Sequence, residues 1–437
     1  MSSEAIAITT PVAEVPLSRR FGRVWWFALV VSGALVLLLG YTLVSVTILG
    51  VGIWGVNIPF VWGFDLINYA WWIGIANGAS LFAAILVLRR HDLRTAVNRF
   101  AEGVAFFAVI CAGIFPIFHL GRPWLFYWTF PYPATYEVWP QFRSTLTWDF
   151  WAISTHAIVT SLLWYVGLIP DLATLRDRAR RKSVQRIYGV FALGWRGSVR
   201  HWAYHQRAYR LVAILVLPLI LIMQSTVAFE FAVTLVPDWH ETRQPLHFVA
   251  TGLAQGLSIV LLVAVLLRSG LRLGRYIDEE DIDLLGKLVL TSAIVSGYLF
   301  LDEVIAALLA ERMAQEAMLN RMTGDYAGLY WTAIVYSVLI PQLLWFKAAR
   351  NSTIAGVFVG LSIGVGIWFD RFSIIVGGLQ TDHLPSISRT YQPTLAETGL
   401  FLGTIGLFAA LLLLFVRFLP VVSMFETRHD EHLEKSS

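Results

Sequence analysis

The sequence predicts an all-α polytopic membrane protein with about ten transmembrane helices and both termini on the cytoplasmic side. Of its 437 residues, 57% are hydrophobic and only 14% are charged, whereas soluble domains usually have about 25% charged residues. The 18 Trp and 28 Phe residues are numerous, which is typical of chains whose aromatic rings lie at the two membrane interfaces. A bilayer can cover this much apolar surface, but a water-soluble core could not.

Ten apolar runs have about the 20 residues that a helix needs to cross the hydrocarbon core. The second run begins at a partly polar segment with Asp65, and the ninth contains Asp370 and Arg371. The first run has no small-residue cleavage signature after it, so we interpret it as a membrane anchor. The runs lie near 25–49, 64–88, 103–120, 147–170, 211–236, 247–268, 288–310, 328–346, 353–377 and 397–420.

Lys and Arg residues are concentrated in alternate connections, which predicts the orientation. Basic residues precede the first run, occur between 89 and 99, and are dense between 171 and 210, whereas 50–63 has none and 237–246 has only Arg243. This distribution predicts that both termini are inside. The 171–210 stretch also predicts an interfacial amphipathic helix that meets anionic lipid. The positive-inside rule already explains its charge, so we do not expect nucleic-acid binding.

Two further features restrict the chemistry of the chain. The single cysteine, Cys111, lies in an apolar run, which excludes a disulfide framework within the chain and Cys-ligated zinc or iron–sulfur sites. On the outer side, residues 121–146 are rich in Trp, Tyr and Pro, which predicts an ordered segment on the membrane surface that could dock a partner. We see no low-complexity segment, no soluble domain and no internal repeat at the residue level.

Ionisable residues inside a membrane are costly and usually face a cavity or a partner. With the predicted orientation, most of them fall in the outer half of the bilayer, whereas His156, Asn77, Gln224 and Tyr298 are nearer the middle. We therefore expect a polar pocket near the outer face, which would suit a quinol head group: its two hydroxyls need hydrogen-bond partners and oxidation releases two protons. The candidates in the outer half are His119, Asp149, Glu230, Asp302, Glu303, Asp370 and Arg371.

Structural roles are an alternative for several candidates. Asp149 follows the start of a span and could cap its helix. Asp370 and Arg371 could form a structural ion pair, Glu230 and Asp65 could be solvated at the interface, and His156 could be a packing residue. Adjacent residues on a helix point about 100° apart, so at most one of Asp302 and Glu303 is expected to face a given pocket.

A haem held by paired histidines is not expected, because only His119 and His156 lie clearly within predicted spans. The sequence has no Walker A motif, no dinucleotide fingerprint after a strand and no His-Glu-x-x-His motif. We therefore expect no haem or metal in this chain. If it oxidises quinol, the electrons must pass to partner subunits.

Several segments resemble the NrfD/PsrC (polysulfide-reductase-like) membrane subunits. They are Gly63–Tyr69, Trp71–Ile75, Arg94–Arg99, Trp148–Asp149 and, most specifically, the Phe115–Trp124 segment with its His-Leu-Gly-Arg-Pro-Trp block. The length, the ten spans and the Ala192–Ser198 segment resemble one branch in particular, the two large membrane subunits of bacterial alternative complex III. The resemblance runs from about residue 20 to 420.

The resemblance implies two four-helix bundles, about 64–236 and 247–377, flanked by the first and last helices. They would lie in a domain of residues 21–424, between cytoplasmic tails at 1–20 and 425–437. It implies a quinol (menaquinol) site near the outer face of the bacterial inner membrane and a role in proton transfer. His119, Asp149, Arg122, Trp124 and Asn77 are then the expected quinol-binding residues, with His119 and Asp149 in the catalytic role. The expected partners are an iron–sulfur protein, multihaem and monohaem cytochromes c, a homologous NrfD-like subunit and membrane lipids.

The expected proton path comprises seven ionisable or hydroxyl-bearing residues within the spans together with one amide. These residues are His156, Glu230, Tyr298, Asp302, Glu303, Asp370, Arg371 and Gln224.

Two positions depart from the family pattern. Relatives often have Gly-Ile-Gly-His where this chain has Gly74–Asn77, and a His is expected where it has Gln224. These departures favour a second hypothesis, in which this is the sister subunit that is structural or proton-conducting and does not itself bind quinol. A third hypothesis, a free-standing transporter with broken helices, has only Pro218 and Pro341 in its favour.

Overall fold

The computed structural model describes residues 17, 21–89, 93–129, 145–380, 390–424 and 427. Within these residues every regular element is helical, and ten helices are long and apolar enough to cross a membrane. The predicted all-α polytopic fold and the ten spans are therefore confirmed. The tails at 1–16 and 428–437, and most of the aromatic segment 121–146, lie outside the described residues.

Twelve helices are numbered here in chain order, and ten of them are spans. The spans are α1 (Arg23–Leu49), α2 (Phe64–Arg89), α3 (Leu93–Phe118), α4 (Thr145–Arg178), α6 (Val199–Ala232), α7 (Gln244–Gly270), α8 (Glu279–Leu309), α10 (Ala327–Trp345), α11 (Thr353–Gln380) and α12 (Leu395–Phe418). Two shorter helices connect spans: α5 (Lys182–Phe191) and α9 (Arg312–Thr323).

The ends of the spans are set by local signals in the sequence. A capping box formed by Asp278 and Asp281 starts α8, and one formed by Thr394 and Glu397 starts α12. Ser198 caps α6 by accepting a hydrogen bond from the backbone N–H of His201. These polar caps satisfy N–H groups that would otherwise be unpaired at the ends of the spans.

Connections separated by an even number of spans contact each other at the same face of the molecule. At one face, Glu397 accepts a hydrogen bond from the backbone N–H of Gly55. At the opposite face, the Tyr188 hydroxyl donates to the carbonyl of Phe418, and Arg350 pairs with Asp283. The spans therefore alternate in direction. We call the face at which α2 begins the outer face and the opposite one the inner face, following the predicted orientation.

The spans form two four-helix bundles with two flanking helices. The first bundle contains α2, α3, α4 and α6, and the second contains α7, α8, α10 and α11; in each, the first and last helices pack together. The flanking helices α1 and α12 pack against each other beside the first bundle. The bundles meet along α2 and α7. The α2 helix is almost entirely buried and has no single apolar face, because its few polar residues are buried as well.

An internal repeat becomes visible at the contact between α2 and α7. A Cβ atom on Gly78 would lie 2.1 Å from the carbonyl oxygen of Gly252, so the two backbones are in direct contact. The segments at this crossing, Gly74–Leu81 and Gly252–Ile259, read GIANGASL and GLAQGLSI. They share a Gly-x-x-x-Gly spacing that lets helices approach closely. The expectation of no repeat at the residue level was wrong, because the similarity is confined to eight residues at the crossing.

Candidate functional site

A cavity of about 330 Å³ lies between α3, α4 and the short 3₁₀ helix Pro123–Thr129, near the outer face. Its walls are mainly apolar and include Pro116, Phe126, Phe150 and Ile153. His119 is also among the lining residues, and 1% of its side chain is exposed. An apolar recess of this size with a few polar groups, here His119, Thr129 and Ser154, is typical of a small-molecule site.

The imidazole of His119 is nearly inaccessible from outside the protein, with 1% of its side chain exposed. Its Nδ1 atom lies 3.9 Å from Oδ2 of Asp65, and both atoms lack a hydrogen-bond partner among the described residues. The ring contacts Trp62 at 5.3 Å and Tyr69 at 6.5 Å between ring centroids. His119 therefore separates the cavity from a group of buried polar side chains.

Two members of that group are carboxyl groups on different helices, and we call them the carboxyl pair. Asp149 of α4 and Glu230 of α6 are buried and face each other, beside the hydroxyl of Tyr69 on α2. Oδ1 of Asp149, Oε1 of Glu230 and the Tyr69 hydroxyl have no geometric hydrogen bond to any described residue. Two carboxyl groups can form a hydrogen bond with each other only when one of them carries a proton. The pair can share a proton if the two side chains come within hydrogen-bond distance of each other.

The positions of Asp149 and Glu230 also decide between the alternatives left open by the sequence. Asp149 is the fifth residue of α4, too far inside to cap its N-terminus. Glu230 is 8% exposed and Asp65 is 1% exposed, so neither is solvated at the interface. Asp149 does not line the cavity that contains His119, because its neighbour Phe150 occupies that side of α4. The two predicted catalytic residues are thus close, but only His119 reaches the cavity.

The middle of the first bundle contains neutral polar contacts. The amide of Asn77 donates to the side chain of Gln224, which in turn donates to the Phe248 carbonyl. His156 is buried with Nε2 3.4 Å from the hydroxyl of Ser80. Asn77 therefore does not reach the cavity, and it pairs instead with Gln224, another of the predicted mid-membrane residues.

A second ionic cluster, nearer the inner face of the same bundle, was not predicted from the sequence. Arg99 lies 3.0 Å from Asp171 and 3.4 Å from Glu102. Glu102 also accepts hydrogen bonds from Asn98 and from the Tyr209 hydroxyl. Glu102 and Asp171 are fully buried, so the first bundle holds carboxyl groups near both faces.

The second bundle has a buried ion cluster at the depth of the carboxyl pair. His247 Nε2 lies 3.2 Å from both carboxylate oxygens of Asp370, and Arg371 lies 2.7 Å from Oδ2 of the same group. Arg371 also donates to Thr251 and stacks 3.7 Å above the ring of Phe248. The ion-pair alternative for Asp370 and Arg371 thus agrees with the structure, with His247 as an additional partner. His247 in α7 and His205 in α6 are further buried histidines within spans, whereas His119 follows Phe118, the last residue of α3. The expectation that only His119 and His156 lie clearly within spans was therefore wrong.

Three predicted path residues, Tyr298, Asp302 and Glu303, have other surroundings and partners. Tyr298 is 65% exposed, and Asp302 pairs at 3.2 Å with the half-exposed Arg243. Glu303 pairs with Arg321 of α9, which also holds Asp238 at 2.6 Å. Burial raises the pKa of Asp238. These ion pairs connect α8 to α9 and to the segment between α6 and α7 near the outer face.

Two of the predicted quinol-binding residues are on the surface. Arg122 is exposed, and Trp124 is 57% exposed at the start of the 3₁₀ helix. They flank the outer side of the cavity region without lining the cavity. In the part of the chain that the structure describes, no cluster of three or more His, Cys, Asp and Glu residues could hold a metal ion.

A family model described as "Polysulphide reductase, NrfD" matches residues 54–382. The chain belongs to the NrfD family. It is similar to a selenate reductase subunit of Mesobacillus selenatarsenatis, with 20% identity over 390 residues, covering 85% of this chain and 88% of the relative. It is also similar to a putative dimethyl sulfoxide reductase membrane subunit of Halobacterium salinarum, with 22% identity over 416 residues, covering 86% and 89%. The matched range includes both bundles, and the predicted family is confirmed.

Proposed function

We propose that this NrfD-family chain is a quinol-binding, proton-handling membrane subunit of an alternative complex III in the bacterial inner membrane. The observation that carries the proposal is the apolar cavity closed on its inner side by the buried imidazole of His119, with a carboxyl pair behind it. Both relatives are named as subunits of reductases, which supports a role as one membrane subunit among several.

The chemistry of the cavity fits a quinol (menaquinol) head group. A flat aromatic head group and an isoprenoid tail both suit a cavity whose walls are mainly apolar and include Phe126 and Phe150. His119 is positioned to accept a hydrogen bond from one hydroxyl. Quinol oxidation releases two electrons and two protons, so this site must provide proton acceptors, and the electrons pass to partner iron–sulfur and haem c subunits.

The proposed proton acceptors lie one after another on the side of His119 that faces away from the cavity. In the proposal, the imidazole takes a proton from the hydroxyl, with the Asp65 carboxylate 3.9 Å from its Nδ1 to stabilise the charged ring. The Tyr69 hydroxyl connects the region of His119 to Asp149 and Glu230, where a proton can be held between the two carboxyl groups. Asp149 is therefore a proton-transfer residue and not a ligand contact.

The Asn77–Gln224 contact favours a second candidate, a homologous sister subunit that does not itself bind quinol. Neither amide can take up or release a proton near neutral pH, so the contact offers no titratable group for proton transfer across the middle of the first bundle. In this second candidate the chain is a scaffold, and the cavity beside His119 holds lipid.

Inhibitor binding to the assembled complex tests the proposal. Replacing His119 with leucine removes one hydrogen bond and should weaken a quinol-analogue inhibitor about tenfold. The matched control is His156→Leu, which changes another buried histidine of the same bundle away from the cavity. Equal affinities in the wild type and the His119 variant would exclude the cavity as the quinol site and favour the second candidate.

A further inference from the structure

The short inner helix α5 has three chemically different faces. Ile187, Val190 and Phe191 lie at i, i+3 and i+4 and are 58%, 70% and 53% exposed. Lys182 and Arg186, four residues apart, form an exposed basic edge beside them. An exposed apolar face next to a basic edge is the pattern of a helix that lies in the plane of a membrane interface.

The third face of α5 is buried against the protein, and its contacts show how deep the helix lies in the membrane. Tyr188 is buried and its hydroxyl donates to the carbonyl of Phe418, the last residue of the α12 span. The hydroxyl of Tyr165 donates to the carbonyl of Phe191. Tyr165 is about 30 Å along α4 from its outer start, at 1.5 Å per residue, and about 30 Å is also the thickness of the hydrocarbon core. Both contacts therefore place α5 at the inner boundary of the core.

The basic edge of α5 extends to the connection between α4 and α5. A recess of about 510 Å³ there is lined by Arg176, Asp177, Lys182, Gln185 and Arg186. Arg176 is neutralised by Asp177 at 2.7 Å. Lys182 and Arg186 have no ion-pair partner within the described parts of the chain. Two positive charges thus face this recess without a carboxylate of their own.

We propose that α5 and this recess bind an anionic phospholipid of the inner leaflet. Ile187, Val190 and Phe191 lie among the acyl chains, and Lys182 and Arg186 hold the lipid phosphate. A cytoplasmic protein is a poorer fit, because the apolar face is at the depth of the acyl chains and is continuous with the exposed apolar residues of α4, such as Ile158 and Leu162. The proposal is independent of quinol binding.

Hydrogen–deuterium exchange of the full chain in nanodiscs tests this site. Amides of 183–191 should exchange more slowly in an equal mixture of phosphatidylcholine and phosphatidylglycerol than in phosphatidylcholine alone. For two charges near an anionic surface at low salt, the slowing should be up to roughly 30-fold. It should shrink at high salt, because the attraction is screened.

Matched variants identify the residues responsible. The double variant K182Q/R186Q should lose the effect of phosphatidylglycerol, whereas R23Q/K347Q, which removes two exposed charges at the inner face elsewhere, should keep it. Val190→Ser should speed exchange in both lipid mixtures, because it weakens insertion of the apolar face. Equal exchange in the two lipid mixtures, or protection that appears only when partner subunits are added, would overturn the proposal.

Discussion

Replacing Asp149 with asparagine separates ligand contact from proton transfer at the candidate site. The side chain is nearly isosteric, and its amide can donate a hydrogen bond to the facing Glu230 carboxylate. The fold should therefore be retained. Asparagine cannot accept a proton, however, so the carboxyl pair loses its capacity to hold one between its two members.

The expected magnitude follows from the position of Asp149 behind the cavity wall. A positioned acid–base group contributes about 10²- to 10⁴-fold to the rate. Because His119 and Glu230 both remain, we expect the lower end, a fall in kcat of about 100-fold. Asp149 does not line the cavity, so the dissociation constant of a quinol-analogue inhibitor should be unchanged.

The assay combines steady-state quinol oxidation with inhibitor titration on the purified complex. Asp302→Asn is the matched control: it neutralises another acid in the outer half of a span, but one that pairs with Arg243 away from the cavity. Its kcat and inhibitor affinity should both stay at wild-type values. The reasoning is refuted if Asp149→Asn weakens the inhibitor and leaves kcat intact, or if it changes neither quantity.

Three further predictions concern the bundle crossing, the outer ion cluster and the hydroxyl near His119. Gly78→Ala puts a Cβ atom 2.1 Å from a backbone oxygen of the facing helix and should lower the free energy of unfolding in detergent by about 1–3 kcal/mol. The control Gly33→Ala, with no atom within 4 Å of the added Cβ, should not destabilise the protein. Equal free energies of unfolding for the two variants would contradict the close contact. Arg321→Met leaves the largely buried carboxyl groups of Asp238 and Glu303 without their cation. It should cost about 3 kcal/mol, whereas Arg312→Met at a solvent-exposed pair should leave the unfolding temperature unchanged. Tyr69→Phe should slow quinol oxidation by less than Asp149→Asn does, with no change in unfolding temperature. Turnover at the wild-type rate would show that this hydroxyl is not on the proton path.

The number and order of the spans could be predicted from the sequence because a bilayer imposes a length on every helix. The depth of a polar residue along its helix was predictable for the same reason. The direction in which it points was not, since helices that are apolar on most sides give little signal of which side faces the bundle. Tyr298 and Asp302 were therefore grouped with Asp149 by depth, although the structure separates them.

Long-range partners account for the rest of what the sequence analysis missed. His247 begins its predicted span and pairs with Asp370, 123 residues away, and no local pattern connects two such positions. Tyr69 carried a weak signal, because it lies one helical turn from Asp65 on the same face of α2. The same limit applies to the carboxyl pair, in which Asp149 and Glu230 come from different helices.

Photoaffinity labelling with an azido-quinone, followed by peptide mass spectrometry of the intact complex, tests the central claim most directly. If the quinol head group binds beside His119, the label should appear on the cavity walls, in residues 109–120 of α3 and its C-terminal end and in 150–157 of α4, and excess unlabelled quinol should prevent it. Labelling confined to the second bundle, or to another subunit of the complex, would contradict the account.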